Sequence, residues 1–342
     1  MVNTPWKNGK GDIVADFIAS CRKYNILPGI YCSYAANAWY NVDGGHVVNG
    51  SKEDQQQYND AYTTMVAELW GGKKYGNGRL FTIWFDGGIP EKSSGGPELN
   101  QLVEKYINPA TNVFQGPAYA KNIVRWVGNE SGNAPYPFFI PINLTVNEKG
   151  YFSPENYHGN PEGKYWVPGE ADFPLREDHT WVQSGWFWNA NNQRVLSLPE
   201  LMKKYYTSVG SNTNMLLGLV VDTSGQVPEE DIAVLKAFGK EIKKFNTPIA
   251  KASGSSEVVI NLKKPETINT ILIQENIQQG QRVKAYRVDA FINNKWQSIA
   301  EGQTIGHKRI QEFKAVTTSK IKLVITDKVA SPIISNFSVY KF

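Results

Sequence analysis

Residues Leu80 to Gly88 read LFTIWFDGG, a short run of apolar and strand-forming residues that ends in a lone acid and two glycines. Leu80 to Phe85 has the length and the aromatic, β-branched content of a strand buried on both faces. Two explanations fit its abrupt end at Asp86. Asp-Gly is a common turn dipeptide, so Asp86 can simply start a turn. Alternatively, in parallel α/β folds the groups that do chemistry stand where buried strands end. The stretch alone leaves both open.

Strands and helices alternate on either side of it. GDIVADFIASCRKY (Gly11 to Tyr24) sets Ile13, Val14, Phe17, Ile18 and Cys21 at spacings of three and four, with Asp12 near the start, which predicts an amphipathic helix. ILPGIYCSY (Ile26 to Tyr34) reads as a buried strand and Glu53 to Leu69 as a second helix. Beyond Asp86 come a helix at Glu98 to Ile107 and a short strand at Asn112 to Gln115. Ile123 to Asp172 is irregular, and only IVRWVG and KYWVPGEAD within it look strand-like. Regularity returns with a helix at Leu196 to Val209, a strand at Asn214 to Asp222 and a last helix from Pro228. This alternation predicts βαβ units around a parallel sheet, with an incomplete (β/α)8 TIM-type barrel as the architecture. Five or six strand candidates precede Phe245, where a closed barrel needs eight.

The stretch NTPIAKASGSS (Asn246 to Ser256) reads as a linker. EVVINL, TINTILIQEN, VKAYRVDAFIN, KWQSIAE, RIQEFKAV, KIKLVITD and IISNFSVYKF follow with period-two alternation. That pattern predicts a small antiparallel sandwich. The expected domains are 1–250, a partial barrel lacking its first strands, and 251–342, the β-sandwich.

Composition narrows the function classes. The 342 residues are 41% hydrophobic and 20% charged, with a net charge of +4 and interspersed signs. No stripe of Lys and Arg interleaved with aromatics offers a nucleic-acid surface. No apolar run approaches the roughly 18–20 residues of a membrane helix, so neither nucleic acid nor membrane is expected as a partner. Cys21 and Cys32 are too few for a disulfide framework. Four glycosylation sequons, at Asn49, Asn129, Asn143 and Asn336, are short enough to arise by chance. Aromatics reach 12%, with ten Trp and seventeen Tyr, many in Gly- and Pro-rich stretches. Such rings either pack cores or stack on the C–H faces of sugars.

No metal or cofactor site emerges. His46, His158, His179 and His307 are scattered, and no zinc-ligand spacing, nucleophile elbow or phosphate loop occurs. What remains is a set of carboxylates at strand ends or in aromatic loops: Asp86, Glu130, Glu170 and Asp172. Glycoside hydrolysis needs one ionised carboxylate and one acid kept protonated. Spacing does not choose which of Glu130, Glu170 and Asp172 would partner Asp86.

TPWKNGKGDIV, IWFDGG, RWVGNESG, WVPGEAD, SGWFW and YYTSVGSNTNMLLGLVVDTSGQVPEED, in this order, resemble the α-L-fucosidases of glycoside hydrolase family 29. The closest likeness is to the subgroup with α-1,3/1,4 linkage preference, and it runs from Asn3 to about Phe245. QENIQQGQRVKAYRVD, KWQSIAEGQTIGHKRI and ISNFSVYKF are similar to the discoidin-like, galactose-binding sandwiches fused to such enzymes. The resemblance implies a retaining exo-hydrolase of terminal fucose on fucosylated glycans or glycoconjugates. Asp86 would be the nucleophile and Glu130 the acid/base, with carboxyls roughly 5–5.5 Å apart. It places Trp84 against the sugar, with Tyr31 on the preceding strand as a further substrate contact; Trp166, Glu170 and Asp172 either shape the substrate site or are structural. It also implies a secreted, periplasmic or lysosomal setting. Family members carry further barrel strands and a His-His-Asp-Gly segment upstream of the TPWKNGKGD motif, which predicts a truncated chain of impaired activity. A non-catalytic carbohydrate-binding protein acting through the C-terminal sandwich is the competing expectation.

Overall fold

The computed structural model describes residues 5–75, 80–117, 119–143, 157–178, 185–191 and 193–342. His179 and most of the Asn143 sequon lie outside them. The chain divides into two compact units, Met1–Arg125 with Thr145–Ser153, and Trp126–Leu144 with Pro154–Phe342.

The first unit is built on a parallel ladder. β1 (Gly29–Tyr31), β2 (Thr82–Trp84) and β3 (Asn112–Phe114) pair in chain order, so that Tyr31, Trp84 and Phe114 stand in one row. β4 (Ile123–Trp126), whose last residue opens the second unit, pairs with β3 through Val113–Ile123 and Phe114–Val124. The strands are shorter than the apolar runs that announce them, although Phe81, Phe85 and Cys32 still donate to the neighbouring segments.

Helix α1 (Ile13–Lys23) starts where Asp12 predicts, its carboxylate accepting the Ala15 amide at 3.0 Å. Its apolar face is only half used. Ile18 and Cys21 are buried, but Ile13 and Phe17 stay exposed, since no described element packs over them. Helix α2 (Lys52–Gly71) opens with a capping box between Ser51 and Asp54. It buries Tyr58, Tyr62, Val66, Leu69 and Trp70, while Met65 remains exposed. The buried aromatics keep their polar tips satisfied, with Tyr62 donating to Cys32 O at 2.6 Å and Trp70 Nε1 to Thr111 Oγ1 at 3.2 Å. The helix expected at Glu98 to Ile107 is a short α3 (Asn100–Leu102) that widens into a π turn at Val103–Ile107.

In the second unit, β5 (Gly169–Pro174) and β6 (Asn214–Gly218) pair in parallel, Glu170 opposite Asn214 and Asp172 opposite Leu216. β6 stops at Gly218, earlier than expected, and Leu219 and Val221 are exposed. α4 (Leu198–Thr207) and α5 (Glu229–Lys243) accompany this pair. Arg176 holds the first turn of α5 through a buried two-pronged ion pair to Asp231.

An antiparallel sheet completes the unit: β7 (Ala250–Gly254), β8 (Glu257–Glu275), β9 (Val283–Ile292), β10 (Lys295–Gly302), β11 (Arg309–Lys328) and β12 (Ile334–Tyr340), in the order β7-β12-β8-β11-β9-β10. The sequence predicts a linker where β7 lies, and two strands where β8 runs unbroken. Register shifts at Asn261/Glu266 and Ile268/Thr270 bend β8. Val258 and Ile260 therefore share one core with Ile271 and Ile273 of the same strand. Leu272, Ile310 and Tyr340 of the sheet pack with Phe173, Leu201 and Phe238, binding sheet, helices and parallel pair into one unit. The chain is thus a parallel α/β half-barrel followed by an antiparallel β domain. No helix among the described residues is long and apolar enough to cross a membrane.

Candidate active site

The sequence-predicted residues fall into two clusters, one in each unit. In the first, β2 delivers Trp84 and Asp86 to the same side, two residues apart. Trp84 stacks on Phe114 with centroids 3.8 Å apart and planes 4° from parallel, and faces Tyr31 at 5.7 Å. The strand register produces this row. Tyr31 donates its phenol proton to Asp86 Oδ2 at 2.6 Å, and Ser33, two residues on, donates to the Asp86 carbonyl at 3.0 Å. The end of β1 and the residues just after it therefore fix both the carboxylate and the carbonyl of the aspartate. Gly87 and Gly88 take φ of 77° and 71°, and the Gly88 amide closes on Phe85 O at 2.9 Å. The turn explanation is correct for these glycines, while the Asp86 carboxylate is committed to Tyr31 rather than to the turn.

Tyr31 is 60% exposed and Asp86 partly buried, so the pair meets solvent. A cavity of about 430 Å3 lies against Tyr31, lined also by Ser33, Asn37, Tyr40, Tyr58 and Met65. Burial pushes the Cys32 thiol at its wall up to about 12, which leaves it without nucleophilic character at neutral pH.

The second cluster gathers three acids. Glu130 is exposed, in a loop held to its surroundings by backbone groups: Val127 N to Glu170 O at 3.3 Å and Gly132 N to Asp172 O at 3.2 Å. Lys204 and Thr207 of α4 donate to the carbonyls of Ser131 and Gly132 at 2.6 and 3.0 Å. Trp186 Nε1 donates to Glu130 Oε2 at 3.0 Å. Glu170 and Asp172 project from one face of β5 and are both buried. Asn214 Nδ2 donates to Glu170 Oε2 at 2.6 Å, and Trp126 Nε1 to Asp172 Oδ1 at 2.7 Å. Burial, opposed by the Trp126 hydrogen bond and reinforced by the negative charges of Glu130 and Glu170, raises Asp172 to about 7. Trp166 lies on the antiparallel pair Pro141–Ile142/Tyr165–Trp166, exposed beside an exposed Tyr165. No group of three or more His, Cys, Asp or Glu suited to a metal ion occurs among the described residues.

The sequence did not single out the residues that hold these acids. Trp186 sits inside SGWFW and Asn214 inside NTNMLLG, but neither motif says which carboxylate it serves. Gly218 carries the missing signal, since a Cβ there would come within 2.4 Å of the Trp186 ring.

Residues 2–247 match the family model described as Alpha-L-fucosidase. A rice protein (Oryza sativa subsp. japonica) assigned as alpha-L-fucosidase 1 is 30% identical, the match covering 98% of this chain and 68% of the relative. A crystal structure assigned as an α-L-fucosidase from Bacteroides thetaiotaomicron is 35% identical with a TM-score of 0.90, covering 99% of this chain and 78% of that one. A Ruminococcus gnavus GH29 fucosidase, solved as an Asp-to-Ala variant in complex with fucose, is 25% identical with a TM-score of 0.80, covering 98% and 76%. The fold and the fucoside-hydrolase expectation hold, and the non-catalytic carbohydrate-binding expectation is set aside. The chain belongs to the α-L-fucosidase family, glycoside hydrolase family 29, whose chemistry is the hydrolysis of fucosides.

Proposed function

We propose that this protein is a retaining exo-α-L-fucosidase in which Asp86 is the nucleophile and Glu130 the acid/base. In the first step an Asp86 oxygen attacks the anomeric carbon of a terminal fucose. The bond to the leaving oxygen breaks, and Glu130 protonates that oxygen. In the second step Glu130 takes a proton from water, which attacks the same carbon and releases fucose with its original anomeric configuration. The observation that carries this reading is the Tyr31–Asp86 hydrogen bond beside the stacked Trp84. It orients a solvent-facing carboxylate at the end of a parallel strand, next to the exposed ring of Tyr31, whose free side suits a sugar. Glu130, exposed and held by the Trp186 indole, is the acid of the second cluster best suited to proton exchange with a leaving group. Glu170 and Asp172 are buried and already engaged, which supports shaping roles. Trp166, Trp84 and Tyr31 would contact substrate.

Fucosylated glycans or glycoconjugates with α-1,3 or α-1,4 linkages are the proposed substrates, with the motif resemblance as support. The fucose bound by the R. gnavus relative agrees with fucose as the glycone. Residues 251–342 are proposed as a discoidin-like module.

Azide rescue tests the two roles separately. Asp86→Ala and Glu130→Ala should each lower turnover roughly 10³-fold or more. With azide, the Asp86 variant should give the inverted β-fucosyl azide and the Glu130 variant the retained α-fucosyl azide. Full activity in either variant, or the opposite stereochemistry, would remove that assignment.

A further inference from the structure

A cavity of about 590 Å3 opens within the second unit, where the chain following α5 meets β7, β8 and β12, and it shares no lining residue with the candidate active site. Its volume suits a small ligand. One wall is aromatic: Phe245 lies 6.1 Å from Tyr205 and 5.2 Å from Tyr340, centroid to centroid, and is itself only half-buried. The other wall is polar. Asn336 Nδ2 donates to Gln274 Oε1 at 3.2 Å, Ser338 Oγ to Asn336 Oδ1 at 2.6 Å, and Gln274 Nε2 to His307 O at 3.1 Å. Both amide oxygens already accept, while among the described residues each amide keeps one N–H unspent. Lys251 and Lys308 also line the cavity, no acid does, and neither lysine has a carboxylate partner among the described residues. Desolvation lowers the Lys308 pKa with nothing opposing it. The unused capacity is therefore positive charge and hydrogen-bond donors beside an aromatic face.

We propose that this cavity binds an anionic saccharide, a pyranose whose C–H face rests on Phe245 and whose carboxylate or sulfate meets Lys251 and Lys308. An aromatic face and spare amide donors suit a sugar ring, and two unpaired ammonium groups select a negative substituent.

The test is calorimetric titration of the full chain with glucuronic acid, a sulfated galactose, plain galactose and inorganic sulfate, repeated on Lys308→Gln and Lys251→Gln. At least one anionic sugar should bind, and each substitution should weaken that binding roughly tenfold or more. Hydrolysis of a chromogenic fucoside and the thermal midpoint should not change. Binding of glucuronic acid alone identifies a carboxylate ligand, and binding of the sulfated sugar alone a sulfate. Lys251 is exposed, so its variant keeps the test decisive should Lys308→Gln unfold. The proposal fails if neither anionic sugar binds or if both variants bind like the parent. It fails equally if plain galactose or inorganic sulfate binds as tightly as the charged sugars.

Discussion

The phenol of Tyr31 and the carboxylate of Asp86 are joined by a 2.6 Å hydrogen bond between the ends of two adjacent parallel strands. The bond connects fold to chemistry. The register that sets Tyr31 beside Trp84 also brings its hydroxyl to the acid two residues further along. A hydrogen bond to a charged group contributes about 1.5–3 kcal/mol. Tyr31→Phe keeps the ring on Trp84 and loses only the donor. It should lower kcat/KM on a chromogenic fucoside roughly 10- to 100-fold with unchanged circular dichroism, and an unaltered kcat/KM would deny Tyr31 this role.

Trp186 should matter most where proton donation matters most. Replacing its indole by phenyl, Trp186→Phe, frees Glu130 from its 3.0 Å donor. Turnover of oligosaccharides with poor leaving groups should fall about tenfold, and that of 4-nitrophenyl fucoside much less. Gly218→Ala, whose Cβ would collide with the Trp186 ring, should reproduce the same selectivity. Equal losses on both substrates would show that Trp186 acts elsewhere.

Asp172 predicts a pH signature in stability. Its folded value, about 7, lies above the ordinary 3.8. The native state therefore binds the proton more tightly than the unfolded chain. This acid contributes stability in its protonated form, and the contribution is lost as pH rises from about 4 through 7. Asp172→Asn keeps an acceptor for Trp126 and removes the charge. The variant should gain on the parent by a few kcal/mol between pH 5 and pH 8 in urea unfolding. A constant difference across that range would mean that Asp172 is ionised throughout.

The buried pair between Arg176 and Asp231 gives a prediction independent of catalysis. Asp231→Ala strands a buried guanidinium, which costs about 3–5 kcal/mol. Guanidinium chloride unfolding should show that loss, and a change under about 1 kcal/mol would mean that water or Glu230 compensates.

Much of the fold was legible because its signals are local. The Asp12 cap, the Ser51 box and the run LFTIWF each announce their element within a few residues. β7 was hidden because AKASG has small, polar edge-strand chemistry, and its pairing to β12, Ala250 with Val339 and Gly254 with Ile334, is decided far along the chain. The Lys263-Lys264-Pro265 stretch separates two expected strands but lies within β8 at a register shift, for Pro is tolerated where ladder bonds are interrupted. At the candidate site, the acids could be read from strand ends and motifs. Their partners could not. Trp186 lies 56 residues from Glu130, and Asn214 lies 44 from Glu170, so only the folded register brings them together.

The most direct test of the proposed function is covalent trapping. A 2-fluoro-fucosyl fluoride slows hydrolysis of the glycosyl-enzyme, so peptide mass spectrometry after incubation identifies the attacked carboxylate. A single fucosyl adduct on the peptide containing Asp86, absent from Asp86→Ala, is the predicted result. An adduct on Glu130, Glu170 or Asp172, or inactivation without any adduct, would contradict it.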